Sequence, residues 1–177
     1  MTPDDRLARI ADAVRPHGLF VMGQDGLRVL VGADAGFWSV FVASAEYADG
    51  LADPVDRFSK RILGAVAADL GAQAVFPSDG PPYAPFIAWA LATGRFWQSP
   101  TGMMVHDRAG LMISIRGALV FDTSIDVDPV APSPCAACAE RPCVGACPVD
   151  ALSDTHAYDV PACKAYLDTP AGADCMD

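Results

Sequence analysis

The sequence predicts a layered domain of helices and strands, α/β or α+β, followed by a small module built around cysteines. Two observations carry this prediction. Segments with helical and with strand periodicity alternate as far as about residue 121, and interleaved elements pack in layers around one core. All six cysteines come after Ser133. The length of 177 residues suits one domain with a small appendage, and 52% hydrophobic residues are enough to form a core.

The first predicted elements are a helix and a hairpin. An aspartate at position 4 or 5 can cap a helix that continues to Val14, with apolar residues on one face. Strands at 19–22 and 27–31 flank Asp25-Gly26, a dipeptide that favours tight turns between antiparallel strands. We therefore expect a β-hairpin directly after the first helix.

Three further helices are predicted in the first domain. Residues 34–47 place apolar side chains at helical spacing. A second helix begins after Asp53, which is a favourable N-cap followed by proline, and ends at Gly71. A third covers residues 85–93. The three tryptophans are expected in the core, at Trp38, Trp89 and Trp97.

Strands complete the first domain. A short apolar segment at 74–76 is typical of a strand. Residues 102–106 and 111–116 have strand character on either side of the turn 107–110, which predicts a second hairpin. Strand character continues as far as residue 121.

The chain is expected to divide into three parts. Residues 1–121 form the layered domain. Residues 122–134 are rich in aspartate and proline and form a stiff, acidic linker. Residues 135–177 form the cysteine module, in which Pro148 can start a short helix at 149–152.

Four cysteines fall within thirteen residues at the start of the module, and the last of these four precedes a proline. The complete set is Cys135, Cys138, Cys143, Cys147, Cys163 and Cys175. Short spacers allow thiolates to converge on one small inorganic core, and thiolate is a soft, anionic ligand of the kind that iron–sulfur clusters require. The residues between the cysteines are small and leave room for a cluster. All six cysteines are therefore candidate metal ligands.

This stretch resembles the bacterial-type 4Fe–4S ferredoxin motif. The resemblance implies a ferredoxin-like electron-transfer module with one or two 4Fe–4S clusters. In that motif the cysteine before proline often binds the other cluster of a pair, so Cys147 would join Cys163 and Cys175 around a second cluster. Two features differ from the motif: four residues follow Cys138 where two are usual, and the second motif is incomplete. We expect the missing two cysteines just beyond residue 177, with the module cut short there.

Besides the iron–sulfur interpretation, the same residues leave two alternatives open, a zinc site and unligated thiols. In the iron–sulfur interpretation Cys135, Cys138 and Cys143 hold iron, with a fourth thiolate from the distal half of the module. Four cysteines can also hold a structural zinc ion, although zinc ribbons usually separate their two cysteine pairs by a longer loop. The third possibility is a set of unligated thiols.

A second resemblance involves residues 105–121, which are followed at a short distance by the cysteine motif. This stretch is similar to the junction in epoxyqueuosine reductase, where a hairpin strand leads from a corrinoid-binding domain into a two-cluster ferredoxin domain. The resemblance implies an alternative function, an oxidoreductase in which the cluster feeds a corrinoid or another cofactor in the first domain. No residue is identified here as the catalytic acid of that family.

Four residues of the first domain are candidates for cofactor binding. Asp79 and Tyr83 lie in the proline-rich loop 77–83, which combines a stiff backbone, a carboxylate and an aromatic ring; a tight turn with a packing tyrosine is the alternative. His106 is either a turn residue with an ordinary hydrogen bond or a ligand. Arg116, in an apolar strand, needs an acidic partner or an anionic ligand if it is buried.

The formal net charge is −10. Residues 135–177 contain seven acidic residues and two basic ones. This excess of negative charge favours a docking surface for a basic redox partner, and the alternative is that it only keeps the protein soluble. An acidic chain argues against nucleic-acid binding.

Localisation is predicted from what the chain lacks. No apolar run approaches the ~20 residues that span a bilayer, and the N-terminus is polar and acidic, unlike a signal segment. We expect a cytoplasmic protein without membrane contact. Since that compartment is reducing, disulfide bonds are not expected.

Overall fold

The computed structural model describes residues 3–124, 127 and 130–175, and shows there a mixture of helices and antiparallel strands. The helices are α1 (Pro3–Val14), α2 (Phe37–Phe41), α3 (Ala45–Ala48), α4 (Pro54–Leu70), α5 (Phe86–Ala92), α6 (Pro142–Gly145) and α7 (Val160–Leu167). The strands are β1 (Leu19–Gln24), β2 (Arg28–Ala33), β3 (Gln73–Val75), β4 (Phe96–Gln98), β5 (Met104–His106) and β6 (Ile115–Val120). Short 3-10 helices cover Arg15–His17, Pro134–Ala136 and Pro170–Cys175. The prediction of a mixed fold is confirmed, and the antiparallel pairing places it in the α+β class.

The larger sheet has four strands in the order β1-β2-β6-β3, and every pair is antiparallel. The predicted first hairpin is confirmed, because β1 and β2 pair around Asp25-Gly26. The turn is closed by Asp25, whose carboxylate accepts the backbone N–H of Arg28 at 3.1 Å. Strand β6 then arrives from far along the chain and lies between β2 and β3.

Both faces of this sheet are covered by apolar side chains. Successive side chains of a strand point to opposite faces, so neighbouring residues of β2 belong to different core clusters. Val29 and Val31 of β2 belong to a core cluster with α1, α2 and α4. Leu30, between them, belongs to a second cluster with α5 and β4. Close packing on the first face depends on Gly117, where an added Cβ would lie 2.7 Å from the side chain of Leu63 in α4. The first domain is therefore layered, with the sheet in the middle.

The second predicted hairpin is wrong. Strand β5 pairs with β4, with Phe96 opposite His106, and residues 111–114 form no strand. The turn 107–110 does form, since His106 and Gly110 exchange N–H···O bonds of 2.9 and 3.0 Å. The chain then enters the larger sheet, where β6 pairs on both sides, and this long-range pairing outweighs the local hairpin.

Two helix predictions also need correction. The helix expected at 34–47 is divided into α2 and α3, and the hydroxyl of Ser44 caps α3 by accepting the N–H of Tyr47 at 3.3 Å. Helix α4 begins at Pro54 and is followed by Gly71, as predicted, but the side chain of Asp53 makes no capping hydrogen bond. Asp53 instead has a left-handed backbone with φ of 53°, so its carboxylate does not serve as the cap.

The cysteine module has little core of its own. Among the described residues from 130 onward, Ala151 is the only buried hydrophobic side chain. The helix expected at 149–152 is absent from this described segment, because Asp150 has a left-handed backbone with φ of 53°. The backbone N–H of Ala151 donates to the sulfur of Cys147 instead. Of the predicted linker, Asp126, Asp128 and Pro129 lie outside the described residues. No helix in the described ranges combines the length and the apolar character needed to cross a bilayer.

Candidate functional site

The six cysteines of the module are all free of disulfide bonds. Five are half-buried, and Cys175 is exposed. The segment that opens the module is held by local hydrogen bonds. The hydroxyl of Ser133 accepts the N–H of Cys135 at 3.3 Å, and the carbonyl of Cys135 accepts the N–H of Cys138 at 3.4 Å. These bonds form a tight turn between the first two thiols.

Cys147 lies in a pocket of backbone donors. Its sulfur accepts the N–H of Ala151 at 3.3 Å. Hydrogen bonding from the backbone of Val149, with smaller contributions from Ala151 and Leu152, lowers the pKa of the Cys147 thiol below its ordinary value. Donors of this kind stabilise the thiolate, which is the form that ligates a metal.

Cys163 is positioned by helix α7, whose first turn is capped by Asp159 through the N–H of Ala162 at 2.9 Å. Its side chain is hydrogen-bonded to the hydroxyl of Tyr158, and this bond raises the pKa of that hydroxyl. The negative charge of the Cys147 thiolate also raises the pKa of Tyr158.

The donor chemistry of the module fits a thiophilic metal, although the sulfur atoms are not gathered as a finished site. Within the described ranges, no group of three or more His, Cys, Asp or Glu side chains is arranged to hold a metal ion. Free thiols, backbone N–H groups directed at sulfur and small spacers are what a cluster or a zinc ion needs from its protein. The residues that would hold the group are the six cysteines.

The loop 77–83 does not form a joint site with the other candidates of the first domain. The carboxylate of Asp79 forms an ion pair with Lys60 of α4, whose ammonium group lies over the ring of Phe76. Tyr83 is 65% exposed, and its ring lies against Gly80. Both contacts belong to a folded loop, and neither Asp79 nor Tyr83 lines the cleft described below.

His106 is completely buried and has a structural role. Its Nδ1 accepts the backbone N–H groups of Arg108 and Ala109, each at 3.1 Å. Its Nε2 therefore carries the proton and donates to the carbonyl of Met22 at 2.7 Å. Burial lowers the pKa of His106, so the neutral ring is the stable form. The histidine ties the turn 107–110 to strand β1.

Arg116 lies in a cleft that the sequence does not reveal. The cleft has a volume of about 1030 Å³ and lies between the ends of β1 and β2, helix α2 and the segment 108–116. Its polar lining consists of Arg108, Arg116, Asp34 and Ser114. The large apolar side chains that line it are Phe20, Phe37, Trp38, Val55 and Met112. We call this feature the arginine cleft.

Two residues of the arginine cleft were missed or misjudged from sequence. Trp38, expected in the core, is 61% exposed at the cleft. Arg108 is the second residue of a turn, and no sequence pattern distinguishes it from an ordinary surface cation. Trp38 and Arg108 can be recognised as candidate binding residues only in the folded chain, where both line the same cleft as Arg116.

No protein-family model and no curated protein matches this chain.

Proposed function

We propose that this protein is an iron–sulfur electron-transfer protein. The observation that carries the proposal is the spacing of the thiols, with Cys135, Cys138, Cys143 and Cys147 falling within thirteen residues and a proline following the last. When bound, a 4Fe–4S cluster would supply reversible one-electron chemistry. The cysteines of this chain would hold it, and the small spacers would let the backbone approach its sulfides.

The structural support is local and lies at Cys147. An N–H bond to a ligand sulfur withdraws charge from it and raises the potential of a cluster. The Cys147 sulfur already accepts the Ala151 N–H at 3.3 Å. The same bonds lower the pKa of the Cys147 thiol and prepare the thiolate that iron requires. Since all six thiols are free, we propose that the protein functions in a reducing, cytoplasmic environment.

The surface of the module would dock a basic redox partner. The acidic side chains whose burial is described, Glu140, Asp150, Asp154, Asp159 and Asp168, are exposed. Among them, Asp154 is neutralised by an ion pair with Arg141 at 3.1 Å. Glu140, Asp150 and Asp168 are exposed without an ion pair to any described residue. Surface carboxylates close to the thiols would attract a basic protein and orient it toward the cluster.

The test is the iron and acid-labile sulfide content of protein purified without oxygen. The proposal predicts a brown protein that contains iron and sulfide in equal amounts. Cys138→Ser should remove most of both, because it deletes a thiol from the opening turn. The matched control is Ala137→Ser, which adds the same hydroxyl at the neighbouring exposed position and keeps every thiol. Iron that is absent from the wild-type chain, or unchanged in Cys138→Ser, contradicts the proposal.

The same preparations test the two alternatives. Stoichiometric zinc without iron would support a structural zinc protein in which four cysteines hold the ion. The oxidoreductase alternative, in which the cluster feeds a corrinoid in the first domain, requires the chain to bind added cobalamin and change its visible spectrum. Unchanged cobalamin spectra at micromolar protein would remove that alternative.

A further inference from the structure

The arginine cleft contains a half-buried cation, Arg116, with one unsatisfied nitrogen. The Nε of Arg116 is buried and has no hydrogen-bond partner among the described residues. Burial lowers the pKa of the Arg116 guanidinium, and the negative charge of Asp56 offsets this effect only in part. A buried donor without an acceptor is destabilising. The Arg116 side chain also lines the cleft, where an anion would supply the guanidinium with a counter-charge.

A second guanidinium lines the same cleft. Arg108 is exposed, and its Cζ lies 5.1 Å from the centre of the Phe20 ring, which keeps the side chain against the wall. The single carboxylate of the lining, Asp34, is engaged by the N–H of Gly36 at 2.7 Å. Two cations and one carboxylate therefore line the cleft, and Asp56 is a further negative charge near Arg116, in a protein whose net charge is −10. Local positive charge on an acidic protein concentrates anions at that position.

The remaining walls of the cleft are largely apolar. Trp38 is 61% exposed and Met112 is 85% exposed, and both line the cleft. The Trp38 ring packs against the ring of Phe41, with ring centres 5.5 Å apart and planes inclined at 50°. An exposed indole supported in this way offers a surface on which a second planar group can stack. The thioether of Met112 adds a polarisable contact.

The cleft is formed before any ligand arrives. His106 fixes Arg108 and Ala109 through its Nδ1, as described above. On the opposite side Gly18, with φ of 67°, packs so closely against the backbone of Phe37 that a Cβ at position 18 would overlap it. These contacts hold the turn 107–110 and the start of α2 in place, so a ligand would not have to order them.

We propose that the arginine cleft binds a planar organic anion, with its carboxylate or phosphate on Arg108 and Arg116 and its conjugated ring against Trp38. The site lies in the first domain and requires neither a metal nor an intact cysteine module. Its failure and the failure of the iron–sulfur proposal are therefore separate results.

The probe for this site is 8-anilinonaphthalene-1-sulfonate, and the matched control is N-phenyl-1-naphthylamine, which has the same rings without the charge. We expect one sulfonate probe to bind per full-length chain, with energy transfer from tryptophan, and the uncharged probe to bind at least about tenfold more weakly. Cys138→Ser should bind the sulfonate probe as well as the wild-type chain. Equal affinity for the two probes would overturn the proposal.

Two variants locate the anion. Arg116→Gln and Arg108→Gln should each weaken the sulfonate probe about tenfold and leave the uncharged probe unchanged. Arg15→Gln is the matched control, since Arg15 is exposed, pairs with Asp12 and does not line the cleft. If Arg116→Gln loses its native circular dichroism, the test rests on Arg108→Gln alone, because Arg108 is exposed and its substitution should not disturb folding. Unchanged probe binding in a folded Arg108→Gln protein would contradict the assignment.

Competition identifies the head group. Phenyl phosphate and benzoate share a ring and differ in the anion, so displacement of the sulfonate probe by one at lower concentration than by the other assigns phosphate or carboxylate. Displacement by either supports the proposal. Displacement by neither, at concentrations where both remain soluble, overturns it.

Discussion

The first domain and the cysteine module are held together by different forces. Up to Phe121 the chain buries two apolar clusters on the two faces of one antiparallel sheet. From residue 130 onward the described residues bury a single apolar side chain, Ala151, and rely on short helices and local hydrogen bonds. A segment of that size without a core usually requires a disulfide or a metal to hold its fold. The first domain thus has a core that can fold it by burial, whereas the module, under the proposed function, would depend on ligation.

The largest expected effect is that of metal removal, because the metal would supply most of the folding free energy of the module. Oxidation and chelation of the anaerobic protein should increase amide exchange in residues 135–175 by at least about tenfold. Exchange in the β-strands of the first domain should not change. Hydrogen–deuterium exchange followed by mass spectrometry measures both regions in one sample. Equal protection of the module with and without metal would show that the two regions do not differ as described.

The second effect is a core truncation in the first domain. Leu63 is completely buried and packs against Gly117 of β6. Leu63→Ala should lower the free energy of unfolding by about 3 kcal/mol, through lost burial and the cavity left behind. Urea denaturation followed by circular dichroism gives the value. Leu91→Ala is the control, because Leu91 is 44% exposed and its truncation should cost about 1 kcal/mol or less.

The iron content of Leu63→Ala sharpens the same comparison. While the variant remains folded, its iron content should equal that of the wild-type chain, since the cysteines lie outside the core clusters. Loss of iron from a folded Leu63→Ala protein would mean that the module depends on the first domain for its ligand geometry.

The third effect is a pH dependence that belongs to the first domain. Hydrogen bonds from the Arg61 guanidinium lower the pKa of the buried Glu46 from 4.5 to about 2. The carboxylate is thus stabilised by folding, and this contribution is present above pH 4.5 and is lost as the pH falls toward 2. Glu46→Gln should cost about 1 kcal/mol at neutral pH, because Arg61 is half exposed and screened by solvent.

Thermal unfolding between pH 2 and pH 7 tests this ion pair. The loss in Glu46→Gln should shrink as the pH falls, since the wild-type carboxylate is then protonated as well. Glu140→Gln, at an exposed position of the module, should unfold like the wild-type chain. A constant difference between Glu46→Gln and the wild-type chain across this range would contradict the role given to Glu46.

The smallest expected effect concerns docking. Asp150→Asn and Asp168→Asn should each slow electron transfer to cytochrome c, a basic acceptor, by about twofold at low ionic strength. The effect should fade as salt screens the charges. Stopped-flow absorbance measures the rate. Asp12→Asn, in helix α1 of the first domain, should leave the electron-transfer rate unchanged. If this control slows the rate equally, the docking surface does not lie on the module.

Local signals in the sequence were reliable where the structure is also local. The first hairpin could be predicted because Asp25-Gly26 specifies its own turn, and α4 because proline and glycine mark its ends. The second hairpin could not be predicted, because whether residues 111–116 pair with β5 or enter the larger sheet depends on β2 and β3, which lie far away in sequence. Strand pairing of this kind is decided by the whole sheet rather than by the segment.

The candidate sites differ in the same way. Cys135 and its neighbours could be proposed as ligands from the sequence because cluster ligands recur at short, regular spacings. The arginine cleft could not, because Arg108 and Trp38 are far apart in sequence and meet only through the fold. The exposure of Trp38 was missed for a related reason: a large apolar residue at helical spacing usually faces the core. The iron–sulfur ligation itself stays a prediction.

The most direct test of that prediction is electron paramagnetic resonance of the anaerobic wild-type protein after reduction with dithionite. The proposed function requires the signal of a reduced iron–sulfur cluster that dithionite produces and air abolishes, present in Ala137→Ser and strongly diminished in Cys138→Ser. A folded, fully reduced wild-type protein that is silent in this experiment and contains no iron would contradict it.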